Sequence, residues 1–322
     1  MKTDEIKFCN LLLLVFFISF FSWGLVSCNY SKLPVGEGNI PVHDGMMWYK
    51  VSGTGTGIPV VLIHGGPGMN SYYLKPFEEL GNDRQVIRYD QFGGGKSTFT
   101  EDTALFSLKE RVLELETLRE ALGIKKWNIL GHSLGTIIAL EYFHAFPEHV
   151  ASLIFASACL DIPAYAENAV LLLETLPDSL QNAVAAADST GDYMNPLYQE
   201  AMAKFSDLYL VRYPGNLESD SLFSGFNVKM YNYMQGPSEF SVTGTMINLD
   251  DTQFLKEINV PTLFTVGEFD TAGPQLVKGF ADQVKDSKYY MIRNAAHITM
   301  ADAKDENVRV VRNFLLSVDS KN

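Results

Sequence analysis

The amino-acid sequence predicts an α/β fold with a mostly parallel central sheet and an inserted helical cap. From about residue 45, short apolar runs alternate with longer amphipathic stretches, and this alternation stops between residues 161 and 250, where helical patterns follow one another. Strands that alternate with helices form parallel sheets covered on both faces. A helical block inserted between two such strands is expected to cover the carboxyl edge of the sheet, where open sheets bind ligands.

The core is therefore predicted at residues 45–160 and 251–322, and the helical cap at residues 161–250. The apolar runs predicted to be strands are Met46–Val51, Pro59–Ile63, Gln85–Tyr89, Trp127–Leu130, Val150–Ala156, Pro261–Val266 and Tyr289–Ile292. The stretches predicted to be core helices are residues 105–122 (with Ser107 as the cap), 133–145, 273–284 and 303–316. Within the cap, helical patterns cover residues 164–187, 197–211 and 221–233.

Residues 1–28 have the pattern of an export signal, with an apolar run over residues 11–26. The run ends in Leu25-Val26-Ser27-Cys28, which resembles the lipobox of bacterial lipoproteins, where the Cys is diacylated and becomes the mature N-terminus. The alternatives are an uncleaved signal anchor or a chance Cys behind an ordinary signal peptide. We expect a lipid anchor at Cys28, a polar tether over residues 29–44, and a place in the bacterial cell envelope on its periplasmic or extracellular face.

The composition argues against several function classes. The net charge is -13 and no cluster of Lys and Arg is visible, which argues against nucleic-acid binding. Of the three cysteines, Cys9 lies in the signal and Cys28 would carry lipid, so Cys159 alone remains in the folded body. It is expected to pack as a small apolar residue near a strand end. No metal-ligand spacing surrounds it, and we expect neither a metal nor another cofactor.

The segment Gly131-His132-Ser133-Leu134-Gly135 joins a predicted strand to a predicted helix. A Gly-x-Ser-x-Gly motif in this context forms a nucleophile elbow, in which a tight turn exposes the serine hydroxyl at a helix N-terminus. The turn leaves room only for small residues on both sides, which explains the two glycines. Ser133 is therefore the predicted nucleophile.

A serine nucleophile needs a general base, and the base needs a carboxylate that orients it. In this fold the acid and then the histidine follow later strands. The strand ending at Val266 runs into Gly267-Glu268-Phe269-Asp270, and the last strand leads to His297. Asp270 is preferred over Glu268 because it lies at the tip of the loop. Asp270 and His297 thus complete a predicted triad with Ser133.

An oxyanion hole is predicted at His64-Gly65-Gly66-Pro67-Gly68, directly after a strand. Glycines let the backbone approach a ligand closely, so the amide of Gly66 can point at a developing oxyanion. The amide of Leu134, next to the nucleophile, would supply the second donor.

These motifs, together with Asp90-Gln91-Phe92-Gly93-Gly94-Gly95-Lys96-Ser97, resemble the proline iminopeptidases, which are serine hydrolases of the α/β-hydrolase fold. The resemblance runs from about residue 45 to 317 and is greatest with the branch that contains the archaeal tricorn-interacting aminopeptidase. In the cap, residues 234–240 are similar to that branch's Gly-Pro-Asn-Glu-Phe segment, whose Glu binds the free α-amino group of the substrate. The resemblance implies this role for Glu239.

Two positions depart from that pattern. Thr271 stands where the branch has a second Glu that also contacts the amine, and Leu134 stands where family members usually carry an aromatic residue. Both departures concern the choice of substrate, since neither alters the triad.

The leading hypothesis is a serine aminopeptidase acting on short peptides or aminoacyl amides with Pro or a small apolar residue first. An esterase or lactonase using the same triad is the alternative, with Glu239 as a solvated cap residue. A third reading is a non-catalytic binding lipoprotein on a hydrolase scaffold. The filled triad positions favour an enzyme.

Overall fold

The computed structural model describes residues 32–213 and 219–320. Within these residues, eight strands form one sheet in the order β1-β2-β4-β3-β5-β6-β7-β8. The strands are β1 (Gly36–Val42), β2 (Gly45–Ser52), β3 (Gly57–Ile63), β4 (Arg84–Tyr89), β5 (Trp127–His132), β6 (Val150–Ala156), β7 (Thr262–Gly267) and β8 (Lys288–Ile292). β2 pairs antiparallel with β1 and with β4, and the other pairs are parallel. The predicted fold class is confirmed.

Four strands of the sheet are buried along their whole length. Every residue of β4, β5, β6 and β7 is buried. Strands covered on both faces are typically apolar along their length, and this pattern made β6 and β7 visible in the sequence.

The prediction of a polar tether over residues 29–44 is wrong for the part that the structure describes. Residues 36–42 form the edge strand β1, which pairs with β2 from Gly36 opposite Val51 to Val42 opposite Gly45. Ile40 and Val42 alternate toward the core, and both are buried. The polar and glycine-rich composition hid this short alternation, since a strand at the edge of a sheet exposes its other residues.

Helices cover both faces of the sheet. α1 (Leu108–Ala121), α2 (Leu134–Ala145) and α8 (Pro274–Ala281) contribute Leu115, Ile137 and Val277 to the larger apolar cluster. A 3-10 helix (Tyr72–Asn82) and α10 (Lys304–Asp319) contribute to the cluster on the other face. The short helix α9 (Thr299–Asp302) precedes α10, and further 3-10 turns are Thr103–Leu105, Pro147–His149 and Thr252–Glu257. Ser107 caps α1 by accepting a hydrogen bond from the Glu110 amide, as its position predicts.

The segment between β6 and β7 is helical. It contains α3 (Ile162–Leu173), α4 (Asp178–Thr190), α5 (Pro196–Phe205), a π-helical turn (Ser206–Leu210), α6 (Ser219–Leu222) and α7 (Val228–Met234). The continuous helix expected over residues 164–187 is broken between α3 and α4, because proline at position 177 disfavours the helical conformation of the residue before it. Residues of α4 and α5, such as Val184 and Phe205, form a small apolar cluster of their own with Phe240.

Candidate active site

The elbow holds Ser133 in a conformation that few residues adopt. Ser133 has φ 54° and ψ -126° between β5 and α2. A Cβ atom on Gly131 would lie 2.1 Å from the Gly135 carbonyl oxygen, and one on Gly135 would lie 2.3 Å from the Ile63 carbonyl oxygen. Both glycines are therefore required by close packing of backbone against backbone. Their absence of side chains lets the strained turn present the serine at the carboxyl edge of the sheet.

The Ser133 hydroxyl is turned toward Cys159 in this structure. Its Oγ lies 3.8 Å from Cys159 Sγ, and it makes no hydrogen bond to His297 among the described residues. Burial, together with the charge of Asp270, raises the pKa of the Cys159 thiol well above its ordinary value. Cys159 is therefore a protonated neighbour of the nucleophile and not a competing thiolate.

Asp270 and His297 form a buried pair. His297 Nδ1 lies 2.7 Å from Asp270 Oδ1. The carboxylate also accepts hydrogen bonds from the amides of Gly267 at 3.2 Å and Ala272 at 2.8 Å. Burial raises the pKa of Asp270, but the positive charge and hydrogen bond of His297 outweigh it and lower the pKa overall. Asp270 is therefore an ionised acceptor that fixes the imidazole ring.

The geometry decides between the two candidate acids. The rival Glu268 accepts a hydrogen bond from the Asn294 amide at 2.9 Å and makes no contact with the imidazole. Burial alone would lower the pKa of His297, whereas the charge and hydrogen bond of Asp270 raise it, and the net shift is upward. With Nδ1 bound to Asp270, Nε2 is left for the nucleophile, since it bonds to none of the described residues.

The two predicted oxyanion donors lie in the same pocket as the nucleophile. Gly66, Ser133 and Leu134 line it together. The Gly66 amide donates to none of the described residues, and the Leu134 amide is the first of α2, whose leading N–H groups have no acceptor within the helix. A Cβ on Gly65 would lie 2.8 Å from Ser133 Cβ, so only glycine lets this loop approach the serine so closely. Both amides are available to an oxyanion.

Buried polar side chains hold the oxyanion loop. His64 Nδ1 lies 2.7 Å from the Gly65 carbonyl oxygen, and Nε2 accepts a hydrogen bond from the Gln91 amide at 3.0 Å. The Gln91 side chain returns a bond to the His64 carbonyl at 2.8 Å. Burial lowers the pKa of His64, which keeps the ring neutral with its proton on Nδ1. Asp90 fixes the next loop by accepting hydrogen bonds from Ser71 and from the Lys96 amide.

Glu239 reaches the same pocket from the segment that follows α7. Its Oε2 accepts a hydrogen bond of 2.5 Å from Tyr165, and its Oε1 one of 2.7 Å from Tyr231. Glu239 and Tyr165 line the pocket with Ser133. Burial, and then the charge of Glu239, raise the pKa of both tyrosines, so both keep their protons and donate. The carboxylate is a fixed negative group facing the nucleophile.

Thr271 joins this network in place of a second carboxylate. The Tyr165 hydroxyl lies 3.0 Å from Thr271 Oγ1. Because Tyr165 has one proton and the carboxylate can only accept, that proton serves Glu239 and the Thr271 hydroxyl donates to Tyr165. The departure at position 271 therefore removes a charge from the pocket and adds a support for Tyr165.

The cap segment also holds the loop of His297. The amides of His297 and Ile298 donate to the carbonyls of Tyr209 and Leu210 in the π-helical turn, at 3.1 and 2.8 Å. Asp302 closes the junction: Oδ1 accepts from the amides of Arg212 and Tyr213, and Oδ2 accepts from the amide of Ala296 at 2.8 Å. π-helical turns often occur at functional sites. Here the turn supports the loop of His297, the predicted base.

A second junction ties the cap to the oxyanion loop. The Asn227 amide donates to the Gly68 carbonyl at 2.9 Å, and the buried Asn227 side chain donates to the carbonyls of Gly93 and Thr100, both at 2.8 Å. Both loops that serve the chemistry are thus bonded to the segment between β6 and β7.

Of the predicted site residues, Ser133, Gly66, Leu134 and Glu239 line one pocket, and Asp270 is hydrogen-bonded to His297. Cys28 lies outside the described residues. Tyr165, Tyr231 and Asp302 were not predicted from the sequence, and Cys159 was predicted only as a packing residue. Cys159 follows the carboxyl end of β6, and ligand sites form where the carboxyl ends of parallel strands meet. That position could have indicated that Cys159 lies near the nucleophile. Within residues 32–213 and 219–320, no three His, Cys, Asp or Glu side chains are grouped so that they could hold a metal ion.

The fold and this site together define a serine hydrolase of the α/β-hydrolase class. Residues 58–304 match the family model described as alpha/beta hydrolase fold. The chain is 37% identical over 287 residues to the proline iminopeptidase of Heyndrickxia coagulans, covering 88% of this chain and 99% of the relative. It is 33% identical over 279 residues to that of Saccharolobus solfataricus, covering 85% and 89%. The chain belongs to the proline iminopeptidase family.

Solved structures agree with this assignment. The structure of the proline iminopeptidase from Mycobacterium smegmatis superposes with a TM-score of 0.81 at 27% identity, covering 89% of this chain and 99% of the other. The structure of VinJ superposes with a TM-score of 0.84 at 27% identity, covering 88% and 99%. Membership of the tricorn-interacting branch stays a prediction.

Proposed function

We propose that this protein is a serine aminopeptidase that releases N-terminal proline from short peptides or from prolyl amides. The observation that carries the proposal is Glu239, which two tyrosines hold in the pocket of Ser133. A protonated amine next to the scissile carbonyl needs a negative partner in a partly dry pocket, since an unpaired buried charge is costly. We also propose that the enzyme releases small apolar residues from the N-terminus of its substrates.

Acylation begins when the Ser133 hydroxyl turns from Cys159 toward His297 Nε2. The imidazole takes the hydroxyl proton while Oγ attacks the carbonyl carbon, and Asp270 stabilises the imidazolium that forms. The amides of Gly66 and Leu134 bind the oxyanion. The C–N bond then breaks, the proton passes from His297 to the leaving amine, and the prolyl group stays esterified to Ser133.

Deacylation repeats these steps with water in place of the hydroxyl. His297 removes a proton from water, the hydroxide attacks the ester carbonyl, and the Ser133 oxygen leaves with the proton that His297 returns. The free amino acid then leaves the pocket, because its carboxyl carbon is no longer bonded to Ser133. All proton transfers in this cycle pass through one imidazole.

A panel of aminoacyl-coumarin amides tests the proposal, with each amino acid supplied both as the free amine and as its N-acetyl derivative. We expect Pro-coumarin to be cleaved with the highest kcat/KM and N-acetyl-Pro-coumarin to be cleaved poorly. Ser133→Ala is the matched control and should abolish turnover. Cleavage of simple esters or lactones with no turnover of any free-amine amide would instead favour the esterase alternative.

We also propose that Cys28 carries a lipid that anchors the protein to the bacterial cell envelope. The support is the lipobox-like segment at residues 25–28 behind an apolar run. No helix within the described ranges is long and apolar enough to cross a bilayer. Growth with an alkyne-tagged fatty acid should label the wild type and leave Cys28→Ser unlabelled. Equal labelling of both would remove the anchor from this residue.

A further inference from the structure

A chain of buried hydrogen bonds connects the oxyanion loop with the catalytic histidine behind the nucleophile. The Gly65 amide lies 2.6 Å from the Tyr73 hydroxyl, and that hydroxyl lies 3.0 Å from His132 Nδ1. His132 Nε2 lies 2.9 Å from the carbonyl oxygen of His297. Tyr73 and His132 are each no more than 2% exposed, so water does not share these contacts.

The direction of every hydrogen bond in this chain follows from its two end groups, the Gly65 amide and the His297 carbonyl. The Gly65 amide can only donate, so the Tyr73 oxygen accepts from it and points its own proton at His132 Nδ1. A ring that accepts at Nδ1 carries its proton on Nε2 when it is neutral. That proton then meets the His297 carbonyl, which can only accept. All groups are satisfied with one tautomer and without a net charge.

The electrostatic surroundings keep the chain in this state. Burial, and then the positive charge of His297, lower the pKa of His132 to about 3. Burial raises the pKa of Tyr73 above its ordinary value. His132 therefore stays neutral and Tyr73 stays protonated over the pH range in which a serine hydrolase works. The imidazole of His132 takes no part in proton transfer to the substrate.

We propose that Tyr73 and His132 are positioning residues, which set the oxyanion loop and the catalytic histidine relative to each other. One end of the chain fixes Gly65, whose neighbour Gly66 supplies an oxyanion donor. The other end fixes the backbone of His297 itself. A displacement of about 1 Å in either group is enough to reduce a rate about a hundredfold. The inference rests on the proposed serine hydrolase function and adds residues to it.

This chain of hydrogen bonds contributes more to the exact placement of the catalytic groups than to the stability of the fold. The His297 carbonyl also accepts a hydrogen bond of 2.9 Å from Ser157, and the His297 loop is bonded to Tyr209 of the cap. Loss of His132 therefore leaves the loop attached but free to shift. His132 comes directly before Ser133 in the elbow motif, and its side chain points away from the substrate side of the nucleophile.

Tyr73→Phe is the first test, because it removes one oxygen and keeps the ring. We expect kcat to fall roughly ten- to hundredfold, less than or comparable to the loss of an oxyanion donor, with KM changed less than about twofold. Tyr89→Phe is the matched control, since the Tyr89 hydroxyl is also fully buried and has no hydrogen-bond partner among the described residues. It should leave kcat within about twofold of the wild type.

A double-mutant cycle tests whether the two residues act as one unit. We expect Tyr73→Phe with His132→Ala to lose no more in kcat than the more damaging single variant, because either change breaks the same chain. Losses that multiply would overturn the proposal, as would a Tyr73→Phe variant that behaves like Tyr89→Phe. Rates are expressed per active site, counted by complete labelling with a fluorophosphonate, so that partial unfolding does not imitate a lower kcat.

The same labelling separates this inference from the proposed function. Turnover of a small activated ester reports on the triad whether or not the enzyme is a peptidase, so the cycle is run on that ester as well as on Pro-coumarin. If wild-type Ser133 is not labelled, the serine hydrolase function fails. If it is labelled and the variants keep full ester turnover, only the positioning role fails.

Discussion

Tyr165 donates a hydrogen bond of 2.5 Å to Glu239 while its oxygen lies 3.0 Å from Thr271, the residue after the catalytic acid. Tyr165 belongs to α3, and Thr271 belongs to the loop after β7. The Glu239 carboxylate, which we propose binds the substrate amine, is thus supported from the cap and from the core at once. One buried hydroxyl group therefore links Glu239 to the loop that carries Asp270.

Tyr165→Phe is expected to weaken the binding of free-amine substrates selectively. Glu239 would keep its bond to Tyr231 but lose its other support, so its Oε2 would be free to turn from the amine. We expect KM for Pro-coumarin to rise roughly fivefold to twentyfold, consistent with about 1–2 kcal/mol for one hydrogen bond to a charged group. Hydrolysis of an activated ester without an amine should change less than about twofold. An equal effect on both substrates would contradict the role.

Glu239→Gln is expected to remove the preference for a free amine. The amide keeps nearly the same shape but carries no charge, and only one of its two polar atoms can accept from a tyrosine. We expect kcat/KM for Pro-coumarin to fall roughly tenfold to a hundredfold. Its ratio to kcat/KM for an N-blocked ester is the quantity to measure. A ratio equal to that of the wild type would show that this residue is only part of the cap.

The pH dependence of hydrolysis should report on His297. The imidazole must be neutral to accept the serine proton, so kcat/KM for an ester without a free amine should rise with pH along a single limb. Because Asp270 raises the pKa of His297 in the free enzyme, we expect the midpoint above about 6.5, the ordinary value for histidine. Below the midpoint the imidazolium cannot act as the base.

Asp270→Asn provides the control for that profile. Loss of the negative charge removes the cause of the upward shift, so the midpoint should move to lower pH, and kcat should fall by about 10⁴. A midpoint that stays in place would assign the limb to a group other than His297.

Asp302→Ala is expected to lower kcat through the cap junction. It removes the acceptor of three backbone amides, among them the Ala296 amide next to the catalytic histidine. We expect kcat to fall roughly tenfold on ester and amide substrates alike, with partial recovery in Asp302→Asn, which keeps one acceptor oxygen. Ser107→Ala is the control, because it removes the cap of α1 and about 1 kcal/mol of stability far from these loops. It should leave kcat unchanged.

Asp251→Asn is expected to stabilise the protein at alkaline pH. Burial, followed by the charges of Glu141 and Asp250, raises the pKa of Asp251 to about 7. The folded state therefore holds a proton that the unfolded state releases near pH 4, and stability falls as the pH rises from about 4 to 7. Thermal unfolding at pH 8 should show Asp251→Asn melting about 2–5 °C above the wild type. A gain at pH 5 as large as at pH 8 would contradict this cause.

The sequence alone predicted the parallel sheet and the positions of the triad for a physical reason. Strands buried on both faces are mostly apolar, and the carboxyl ends of parallel strands meet at one edge. Ser133 and Asp270 each follow such a strand, and His297 follows the edge strand β8 next to β7, so their proximity could be expected without coordinates. The elbow glycines are equally visible, because packing of backbone on backbone admits no other residue.

Other features could not be predicted because they depend on packing between distant segments. The polar residues on the exposed face of β1 concealed this strand in the sequence. The break that Pro177 causes between α3 and α4 was not predicted. The supports of Glu239 come from Tyr165 and Tyr231, which are separated from each other by much of the cap. Aromatic residues at helical spacing are ordinary core residues in a sequence, and only the fold shows that these hydroxyls converge.

The bonds from Tyr209 to His297 and from Asn227 to Gly68 have a consequence for the size of molecule that can be digested. A cap that lifted as a rigid lid would pull away from both loops and leave the base and the oxyanion donors misaligned. An open cap and a catalytically competent site are therefore mutually exclusive. Only chains narrow enough to pass a closed cap can then reach a working triad, so we expect folded proteins to be excluded as substrates.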